Sequence, residues 1–310
     1  MSTAIERVAV VGTGLMGTGI ALCCAAAGVP VTLIKATGGD TGPVVARLRR
    51  SLERQVERGK LTAEARDRTL DAIEVTNALD ALRGAPFVIE SGAENIAAKQ
   101  ALLAAIESSA SPGAVIGSNT SSLRLSTLGE VLKQPERFLG MHFFSPAEVM
   151  KLVELGPTAR TSPAAVGLAE ALCQRIGKTA VTVGDHPGYL VNRLLVPYIL
   201  HAIETLEQSV AGPEAIDTAM RLGAGHPLGP LALADLIGLD VVFAMSRSLH
   251  QELRDGRYRC PSLLRRLVLG GHLGKKTGKG LYVYGPDGAK PNPALFAFAE
   301  PSAPAAHSAA

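Results

Sequence analysis

The sequence predicts an α/β protein with a doubly wound, mostly parallel sheet and an inserted helical hairpin, followed by an all-helical C-terminal domain. Two observations predict the first part. A strand, a glycine turn, a helix and a second strand follow one another within residues 7–34, and later apolar runs alternate with helical stretches. One observation predicts the second part, because helical periodicity replaces the strand signal after residue 188.

The first strand covers Arg7–Val11, and the segment Gly12–Gly17 opens an Ala-rich helix. The second strand is Val31–Ile34, which completes the βαβ unit of a Rossmann-type sheet. A long polar helical pattern over residues 42–68, broken at residues 59–60, predicts the inserted hairpin. Five further strand-like runs follow: Phe87–Glu90, Ala114–Gly117, Phe138–His142, Lys151–Leu155 and Thr179–Val183.

Glycine and proline mark the predicted domain boundary, in the segment Gly184–Gly188. We therefore expect a Rossmann-type domain over residues 1–185 and a helical domain over residues 186–285. Residues 286–310 are rich in Pro and Ala, which predicts a disordered tail.

Composition limits the class of protein. Hydrophobic residues make up 47% of the chain and charged residues 19%, which excludes a disordered chain. A net charge of +3 gives no general case for nucleic-acid binding. No apolar run has membrane-spanning length, the N-terminus lacks a signal-peptide pattern, and the four cysteines lack metal-binding spacing. We expect a soluble, cytoplasmic protein with no metal, membrane or nucleic-acid partner.

Gly12, Gly14 and Gly17 form a G-x-G-x-x-G loop in the strand–turn–helix context that makes this motif specific. The glycines allow a tight turn, close approach of the backbone to a pyrophosphate, and close packing of helix on strand. The helix start, with Leu15 and Met16, presents free N–H groups to an anion. The loop predicts a dinucleotide site, and a glycine turn without a ligand explains the flanking pattern less well.

The position after the second strand, acidic in a typical NAD site, is Lys35. A lysine cannot accept a hydrogen bond from a ribose hydroxyl. Its positive charge is suited to a 2′-phosphate, which favours NADP. If Lys35 is only solvated, Thr37 or Asp40 serves the ribose. The sequence therefore predicts NAD or NADP.

His142 ends a predicted strand, where open α/β sheets bind ligands, and Glu154 ends the next strand-like run. A neutral imidazole takes the proton of a hydroxyl group while a hydride leaves its carbon. A carboxylate on the other ring nitrogen fixes the tautomer. Together with the dinucleotide loop, the pair favours alcohol oxidation over purely structural roles.

A resemblance to a known family rests on five motifs. They are SNTSSL (Ser118–Leu123), GMHFFSPAEVMKLVEL (Gly140–Leu155), GYLVNRLL (Gly188–Leu195), GAGHPLGPLALADLIGLD (Gly223–Asp240) and GKKTGKGLYVY (Gly274–Tyr284). In this order the chain resembles the 3-hydroxyacyl-CoA dehydrogenases, above all the short forms that act on 3-hydroxybutyryl-CoA. The resemblance implies an NAD(P)-binding Rossmann domain and a helical domain for substrate binding and homodimer formation. It also implies a role in fatty acid metabolism.

The resemblance also implies roles for single residues. His142 matches the general base and Glu154 its partner, while Ser121 and Asn192 match residues that support the substrate and the base. Four further positions match residues around the nicotinamide ribose: Glu94, Asn95, Lys99 and Asn119. Without the resemblance, Ser121 is a turn residue and Asn192 a residue at a helix start.

The predicted hairpin carries a row of arginines on one helix face: Arg47, Arg50, Arg54 and Arg58. In the family this hairpin binds the coenzyme A moiety, so we expect Arg47, Arg50 and Arg54 to contact phosphates of the substrate's carrier. An acidic acyl carrier protein fits the same charges. A solvated face paired with neighbouring glutamates is the alternative without a ligand.

The leading prediction is an NAD(P)-dependent 3-hydroxyacyl-CoA dehydrogenase that acts reversibly on short (3S)-3-hydroxyacyl thioesters. The same chemistry on an acyl-carrier-protein thioester, or on a free hydroxy or sugar acid, is an alternative. A non-enzymatic dinucleotide-binding protein is least favoured, because His142 and Glu154 are both present. The acyl chain and the physiological direction stay open.

Overall fold

The computed structural model describes residues 5–295 and divides the chain into two compact units. The first covers Met1–Leu190 and the second Val191–Ala310. The predicted boundary lies after residue 185, five residues earlier. The backbone N–H of Leu190 donates to the carboxylate of Glu154 at 3.0 Å, which ties this segment to the first unit.

The first unit is built on an eight-stranded sheet. In chain order the strands are β1 (Val8–Val11), β2 (Val31–Ile34), β3 (Ile73–Thr76), β4 (Phe87–Glu90), β5 (Val115–Ser118), β6 (Phe138–Phe143), β7 (Leu152–Pro157) and β8 (Thr179–Thr182). Their spatial order is β3-β2-β1-β4-β5-β6-β7-β8, and only the β6–β7 pair is antiparallel in this sheet. β1, β2, β4 and β5 are buried along their whole length, as expected for a sheet covered on both faces.

Helices cover both faces of this sheet. They are α1 (Leu15–Ala26), α2 (Gly42–Glu57), α3 (Ala63–Asp71), α4 (Ile96–Ser109), α5 (Leu125–Leu128) and α6 (Pro163–Arg175). Val8 and Val10 join the core cluster with α1, α2 and α6. Ala9 and Val11 join the cluster with α4 and α5, as the two-residue period of a strand requires. The predicted doubly wound α/β fold is confirmed.

The inserted hairpin consists of α2 and α3. α2 buries Val44, Leu48 and Leu52, which are spaced four residues apart and join the core cluster of α1. The strand β3, which follows the hairpin, was not predicted. It is a short, partly exposed edge strand that includes Glu74, so its apolar pattern is weak.

The second unit contains the helices α7 (Val191–Glu207), α8 (Pro213–Gly223), α9 (Pro230–Ile237), α10 (Leu239–Leu253) and α11 (Ser262–Leu269). The predicted helical domain is confirmed, and the structure adds an antiparallel hairpin of β9 (Tyr282–Gly285) and β10 (Gly288–Pro291), which was not predicted. Asp235 on α9 anchors this hairpin by accepting the N–H groups of Leu281 at 2.9 Å and Tyr282 at 2.8 Å. Burial raises the pKa of Asp235 above its ordinary value.

The structure also differs from the predicted tail at residues 286–295. Residues 288–291 pair with β9, and Asn292 is buried. The Asn292 side chain donates to the carbonyl of Gly280 at 2.7 Å, which ties the chain back to the second unit. The rest of the predicted tail, residues 296–310, lies outside the described residues. Of the helices that the structure describes, none is long and apolar enough to cross a membrane.

Candidate active site

Polar residues predicted as site residues gather at one edge of the sheet. Asn119 directly follows β5, and His142 lies next to the last residue of β6. Parallel neighbours end at the same edge, where doubly wound sheets bind ligands. The antiparallel strand β7 brings Glu154 to this edge, because Glu154 is the direct cross-strand partner of His142.

The glycine loop joins β1 to α1. Gly12 has φ +119°, a conformation that other residues rarely adopt. A Cβ atom at Gly17 would overlap the carbonyl oxygen of Gly12, so the approach of α1 to β1 requires glycine there. A Cβ atom at Gly14 would meet nothing within 4 Å, so open space lies beside this residue.

The N-terminus of α1 suits a pyrophosphate. The helix begins at Leu15 without a side-chain cap and without an acidic residue in its first turn. The first-turn N–H groups of Leu15, Met16 and Gly17 have no acceptor within a helix, so an external anion can satisfy them. The residues present therefore fit a dinucleotide.

Lys35 is half-buried at the end of β2. Its ammonium group donates to the carbonyl oxygens of Gly38 at 2.5 Å and Asp40 at 3.2 Å. The Asp40 carboxylate accepts the N–H of Gly42 at 2.9 Å, in the turn that starts α2. Lys35 and Asp40 thus both form hydrogen bonds within the segment that joins β2 to α2.

A buried ion pair lies at the end of β4. Lys99 Nζ donates to both carboxylate oxygens of Glu90, at 2.9 and 3.0 Å, and both side chains are fully buried. Glu90 also accepts from Ser118 Oγ and from the N–H of Gly92, each at 2.5 Å. Contact of Lys99 with the cofactor stays a prediction. Glu90 was not singled out, although a carboxylate that ends the apolar run FVIE is a visible signal.

Glu94 organises the loop after β5. Its Oε1 accepts from Thr120 Oγ1 at 2.7 Å and from the N–H groups of Ser121 at 2.9 Å and Ser122 at 3.0 Å. Burial alone would raise the pKa of Glu94. The Lys99 ammonium group and these hydrogen bonds outweigh it and hold the pKa below its ordinary value. Glu94 therefore positions the backbone that carries Ser121.

Asn119 and Asn95 both have structural partners. Asn119 Oδ1 accepts the N–H of Phe143 at 2.9 Å, and its Nδ2 donates to Ser91 Oγ at 3.3 Å. Asn119 thereby links the ends of β4, β5 and β6. Asn95 caps α4 by accepting the N–H of Ala98 at 3.0 Å. Their contacts with a nicotinamide ribose stay predictions.

His142 and Glu154 form a buried hydrogen-bonded pair. His142 Nδ1 lies 2.8 Å from Glu154 Oε2, and the two residues are 6% and 0% exposed. The other oxygen of Glu154 accepts the N–H of Leu190. When Nδ1–H donates to the carboxylate, the neutral imidazole keeps its lone pair on Nε2. The pair can therefore accept a proton and stabilise the resulting imidazolium.

Two aromatic rings flank the His142 imidazole. The Phe144 ring lies 4.5 Å away at 54°, and the Tyr189 ring lies 4.8 Å away at 26°, a stacked arrangement. Tyr189 is buried and has φ 50°, in the left-handed region. Neither residue was singled out from the sequence. In the sequence these two residues are marked only as aromatic side chains inside motifs that also contain predicted site residues.

Asn192 lies in the first turn of α7, in the second unit, and is half-buried. Its predicted support of the substrate and of the base stays a prediction.

The predicted row of arginines lies on the exposed side of α2. Arg47 donates to the carbonyl oxygen of Thr13 in the glycine loop, so it contacts the predicted cofactor site. Arg54 Nε donates to the carbonyl of Arg50 at 3.2 Å. None of the ion pairs among residues 5–295 involves these three exposed arginines, and their contact with phosphates of a carrier stays a prediction.

The cysteines take no part in this site. Cys23, Cys24 and Cys173 are buried free thiols, and Cys260 is half-buried. Burial raises the pKa of Cys23 to about 11, which keeps the thiol protonated. The described part of the chain holds no cluster of three or more His, Cys, Asp or Glu residues suited to a metal ion.

Comparisons with known proteins agree with the motifs. Residues 7–186 match the family model for the 3-hydroxyacyl-CoA dehydrogenase NAD binding domain, and residues 188–284 match the model for the C-terminal domain. The 3-hydroxybutyryl-CoA dehydrogenase of Mycobacterium tuberculosis is 42% identical over 286 residues, which cover 92% of this chain and 100% of the relative.

Two further relatives extend the comparison. The 3-hydroxyadipyl-CoA dehydrogenase of Escherichia coli is 41% identical over 282 residues, 90% of this chain and 59% of that protein. The crystal structure of (S)-3-hydroxybutyryl-CoA dehydrogenase from Ralstonia eutropha matches with a TM-score of 0.84 at 41% identity. This match covers 91% of this chain and 100% of the other.

Proposed function

Because the chain belongs to the 3-hydroxyacyl-CoA dehydrogenase family, we propose that it interconverts a short (3S)-3-hydroxyacyl-CoA and its 3-oxo form with His142 as general base. Family membership makes it an oxidoreductase that acts on a CH–OH group with a nicotinamide dinucleotide. The proposal concerns the roles of single residues, coenzyme A as the carrier and the short length of the acyl chain. The observation that carries it is the buried 2.8 Å contact between His142 Nδ1 and Glu154 Oε2.

The proposed reaction uses both nitrogens of the His142 imidazole. His142 takes the hydroxyl proton at Nε2 while the C3–H bond breaks. Glu154 keeps the proton on Nδ1 and stabilises the imidazolium that forms. When bound, a nicotinamide dinucleotide accepts the hydride from C3 or returns it. In the reverse direction His142 gives its proton back to the oxygen.

Ser121 and Asn192 are proposed to support the substrate oxygen. Both are neutral hydrogen-bonding groups, which suit an oxygen that gains negative charge as its proton leaves. The contacts of Glu94 with the N–H groups of Ser121 and Ser122 support an ordered position for the Ser121 hydroxyl.

A test of the catalytic roles compares His142→Ala and Glu154→Gln with the unaltered enzyme. General-base catalysis contributes about 10²- to 10⁴-fold, so we expect kcat on 3-hydroxybutyryl-CoA to fall by about that factor in His142→Ala. NADH affinity stays near normal because neither residue belongs to the glycine loop. The control is His201→Ala, an 81% exposed histidine on α7. Normal turnover by both site variants would contradict the assignment.

We propose NAD rather than NADP as the cofactor. The Lys35 ammonium group already has the carbonyl oxygens of Gly38 and Asp40 as acceptors, which favours a role within its loop. The positive charge of Lys35 favours NADP, because the 2′-phosphate of NADP is negative.

Separate titrations with NADH and NADPH test this choice. We expect tighter binding of NADH, and little change of this preference in Lys35→Met, whose side chain keeps a similar length without the charge. Tighter NADPH binding that Lys35→Met abolishes would instead identify a 2′-phosphate contact and reverse the proposal.

The carrier proposed for the acyl group is coenzyme A. The exposed guanidinium groups of Arg50 and Arg54, which form no internal ion pair within the described residues, support a phosphate-bearing carrier. The same charges support an acyl carrier protein as second candidate. Rates on matched coenzyme A and carrier-protein thioesters separate the two, and activity on a free hydroxy acid would indicate a third substrate class.

The acyl chain is proposed to be short, as in the relatives named for 3-hydroxybutyryl-CoA. The relative named for 3-hydroxyadipyl-CoA is 41% identical, so a longer, acidic chain is the competing substrate. Comparison of kcat/KM on the two thioesters decides between them.

We further propose a homodimer formed through the second unit. A cytoplasmic location is also proposed, since it suits free, unpaired thiols.

A further inference from the structure

The face of the β6–β7 ladder that carries the catalytic pair also carries two glycines. Gly140 is the direct partner of Gly156, in the same antiparallel register that pairs His142 with Glu154. Residues two apart on a strand point to the same face of a sheet. The two glycines therefore lie beside the His–Glu pair and leave space where side chains would otherwise stand.

The Tyr189 ring occupies part of this space. A Cβ atom at Gly140 would overlap the Tyr189 hydroxyl oxygen, and a Cβ atom at Gly156 would lie 3.1 Å from Tyr189 Cε1. Leu125 fills the remainder, because its Cδ1 approaches the same two positions. From this space the Tyr189 ring stacks on His142, with 4.8 Å between centroids.

The backbone at Tyr189 is shaped for this contact. Its φ of 50° is uncommon for a residue other than glycine. The next residue, Leu190, donates its N–H to Glu154 Oε1 at 3.0 Å. Two consecutive residues therefore contact both members of the catalytic pair, one through its ring and the other through its backbone.

Packing of the ring, and not a hydrogen bond, holds the Tyr189 side chain. Its hydroxyl is buried and has no hydrogen-bond partner among the described residues, although a buried tyrosine usually finds one. Burial raises the pKa of Tyr189 well above its ordinary value, and the carboxylates of Glu94 and Glu154 add to this effect. The hydroxyl therefore stays neutral and does not compete with His142 for protons.

We propose that Tyr189 is a positioning residue: its ring, seated on the Gly140–Gly156 pair, fixes the plane of the His142 imidazole. The second side-chain torsion of histidine is broad, so contact on the ring face is needed to restrict it. A fixed plane directs Nδ1 to Glu154 and leaves Nε2 for the substrate hydroxyl. The inference rests on the proposed function, in which His142 is the base.

The test uses Tyr189→Leu and Tyr189→Phe in the full-length enzyme. Leucine fills part of the space but cannot stack, whereas phenylalanine keeps the ring and removes only the unpartnered hydroxyl. We expect Tyr189→Leu to lower kcat by about 10- to 100-fold, as small misplacements of catalytic groups do, with KM for the cofactor unchanged. Tyr189→Phe retains normal kcat.

A second readout does not depend on turnover. In ¹⁵N-histidine-labelled enzyme, the Nδ1–H resonance of His142, assigned with a His142→Gln variant, reports its hydrogen bond to Glu154. We expect this resonance to persist in Tyr189→Phe and to broaden in Tyr189→Leu. If Tyr189→Leu does not fold, Tyr189→Met replaces it, since its flexible side chain fills irregular space.

Three outcomes would overturn the inference. They are normal kcat in Tyr189→Leu, an equal loss of kcat in Tyr189→Phe, which would assign the effect to the hydroxyl, and an unchanged His142 resonance in Tyr189→Leu. Failure of the proposed function is distinct from these. It shows as absence of turnover on every 3-hydroxyacyl thioester by the unaltered enzyme, and the resonance of His142 still tests the positioning role.

Discussion

At the scale of single residues, two buried carboxylates serve different purposes. Glu154 faces an imidazole, a group whose two nitrogens can donate and accept a proton. Glu90 faces the ammonium group of Lys99 at 2.9 Å, and both side chains are fully buried. The first pair can take part in proton transfer, whereas the second fixes the strand ends on which the site is built.

The Glu90–Lys99 pair leads to a stability prediction. Removal of one partner leaves the other charge buried and uncompensated, which costs about 3–5 kcal/mol. We expect Lys99→Met to lower the free energy of unfolding by that amount, measured by urea denaturation. The matched control is Arg7→Met, which removes an ion pair to Glu74 that is 40% and 60% exposed.

Exposed ion pairs contribute about 0–1 kcal/mol, so Arg7→Met is expected to unfold near the unaltered midpoint. A Lys99→Met variant that is no less stable than Arg7→Met would show that the protein tolerates an unpaired Glu90.

The same contrast explains which site residues the sequence could reveal. In the sequence His142 ends a predicted strand and Glu154 lies one residue before the end of the next, and both have the residue types that proton transfer needs. The contact of Tyr189 with His142 depends on the positive φ of Tyr189 and on Gly140 and Gly156, which lie in β6 and β7. These conditions arise only when β6 and β7 pair, and a single sequence does not display that register.

At the scale of secondary-structure elements, the interior strands were predictable because each is a continuous apolar run. β1, β4 and β5 are buried on both faces, so their composition alone marks them. The hairpin of β9 and β10 lacks such a signal. It depends on the buried carboxylate of Asp235, which lies on a different element.

The start of α1 allows a prediction with two neighbouring glycines. A methyl group at Gly17 would overlap the Gly12 carbonyl, whereas a methyl group at Gly14 would enter open space. We expect Gly17→Ala to lower the melting temperature. Gly14→Ala keeps the unaltered melting temperature but binds NADH more weakly, because the methyl group enters the space a pyrophosphate needs.

Thermal unfolding and NADH titration of the two variants measure these effects separately. Unchanged NADH affinity in Gly14→Ala would place the pyrophosphate elsewhere. An unchanged melting temperature in Gly17→Ala would mean that α1 can move away from β1 at little cost.

At the scale of the whole molecule, charge is unevenly distributed, and both units expose large apolar side chains. The net charge is only +3, yet the exposed face of α2 carries arginines that make no internal ion pair within residues 5–295. The second unit exposes large apolar side chains on five helices: Leu194, Leu222, Leu236, Val241 and Leu269. Single exposed apolar residues are common, so those on α8 and α9 bear on association only through the proposed homodimer.

The proposed homodimer predicts that these side chains hold two copies together. Leu222 and Leu236 are 79% and 57% exposed on α8 and α9, which are neighbouring helices. In light scattering coupled to size exclusion, the unaltered protein is expected at twice the chain mass of 32.2 kDa. Leu222→Glu combined with Leu236→Glu should shift it to the mass of one chain, because buried unpaired carboxylates oppose association.

The matched control is Val149→Glu, which changes a 68% exposed apolar residue in the first unit and should leave the dimer intact. A dimer that survives the double substitution would move the interface away from α8 and α9. A monomer in the unaltered protein would exclude the dimer itself. Retained NADH binding by the double variant would show that the first unit keeps its fold and that the substitutions act on association alone.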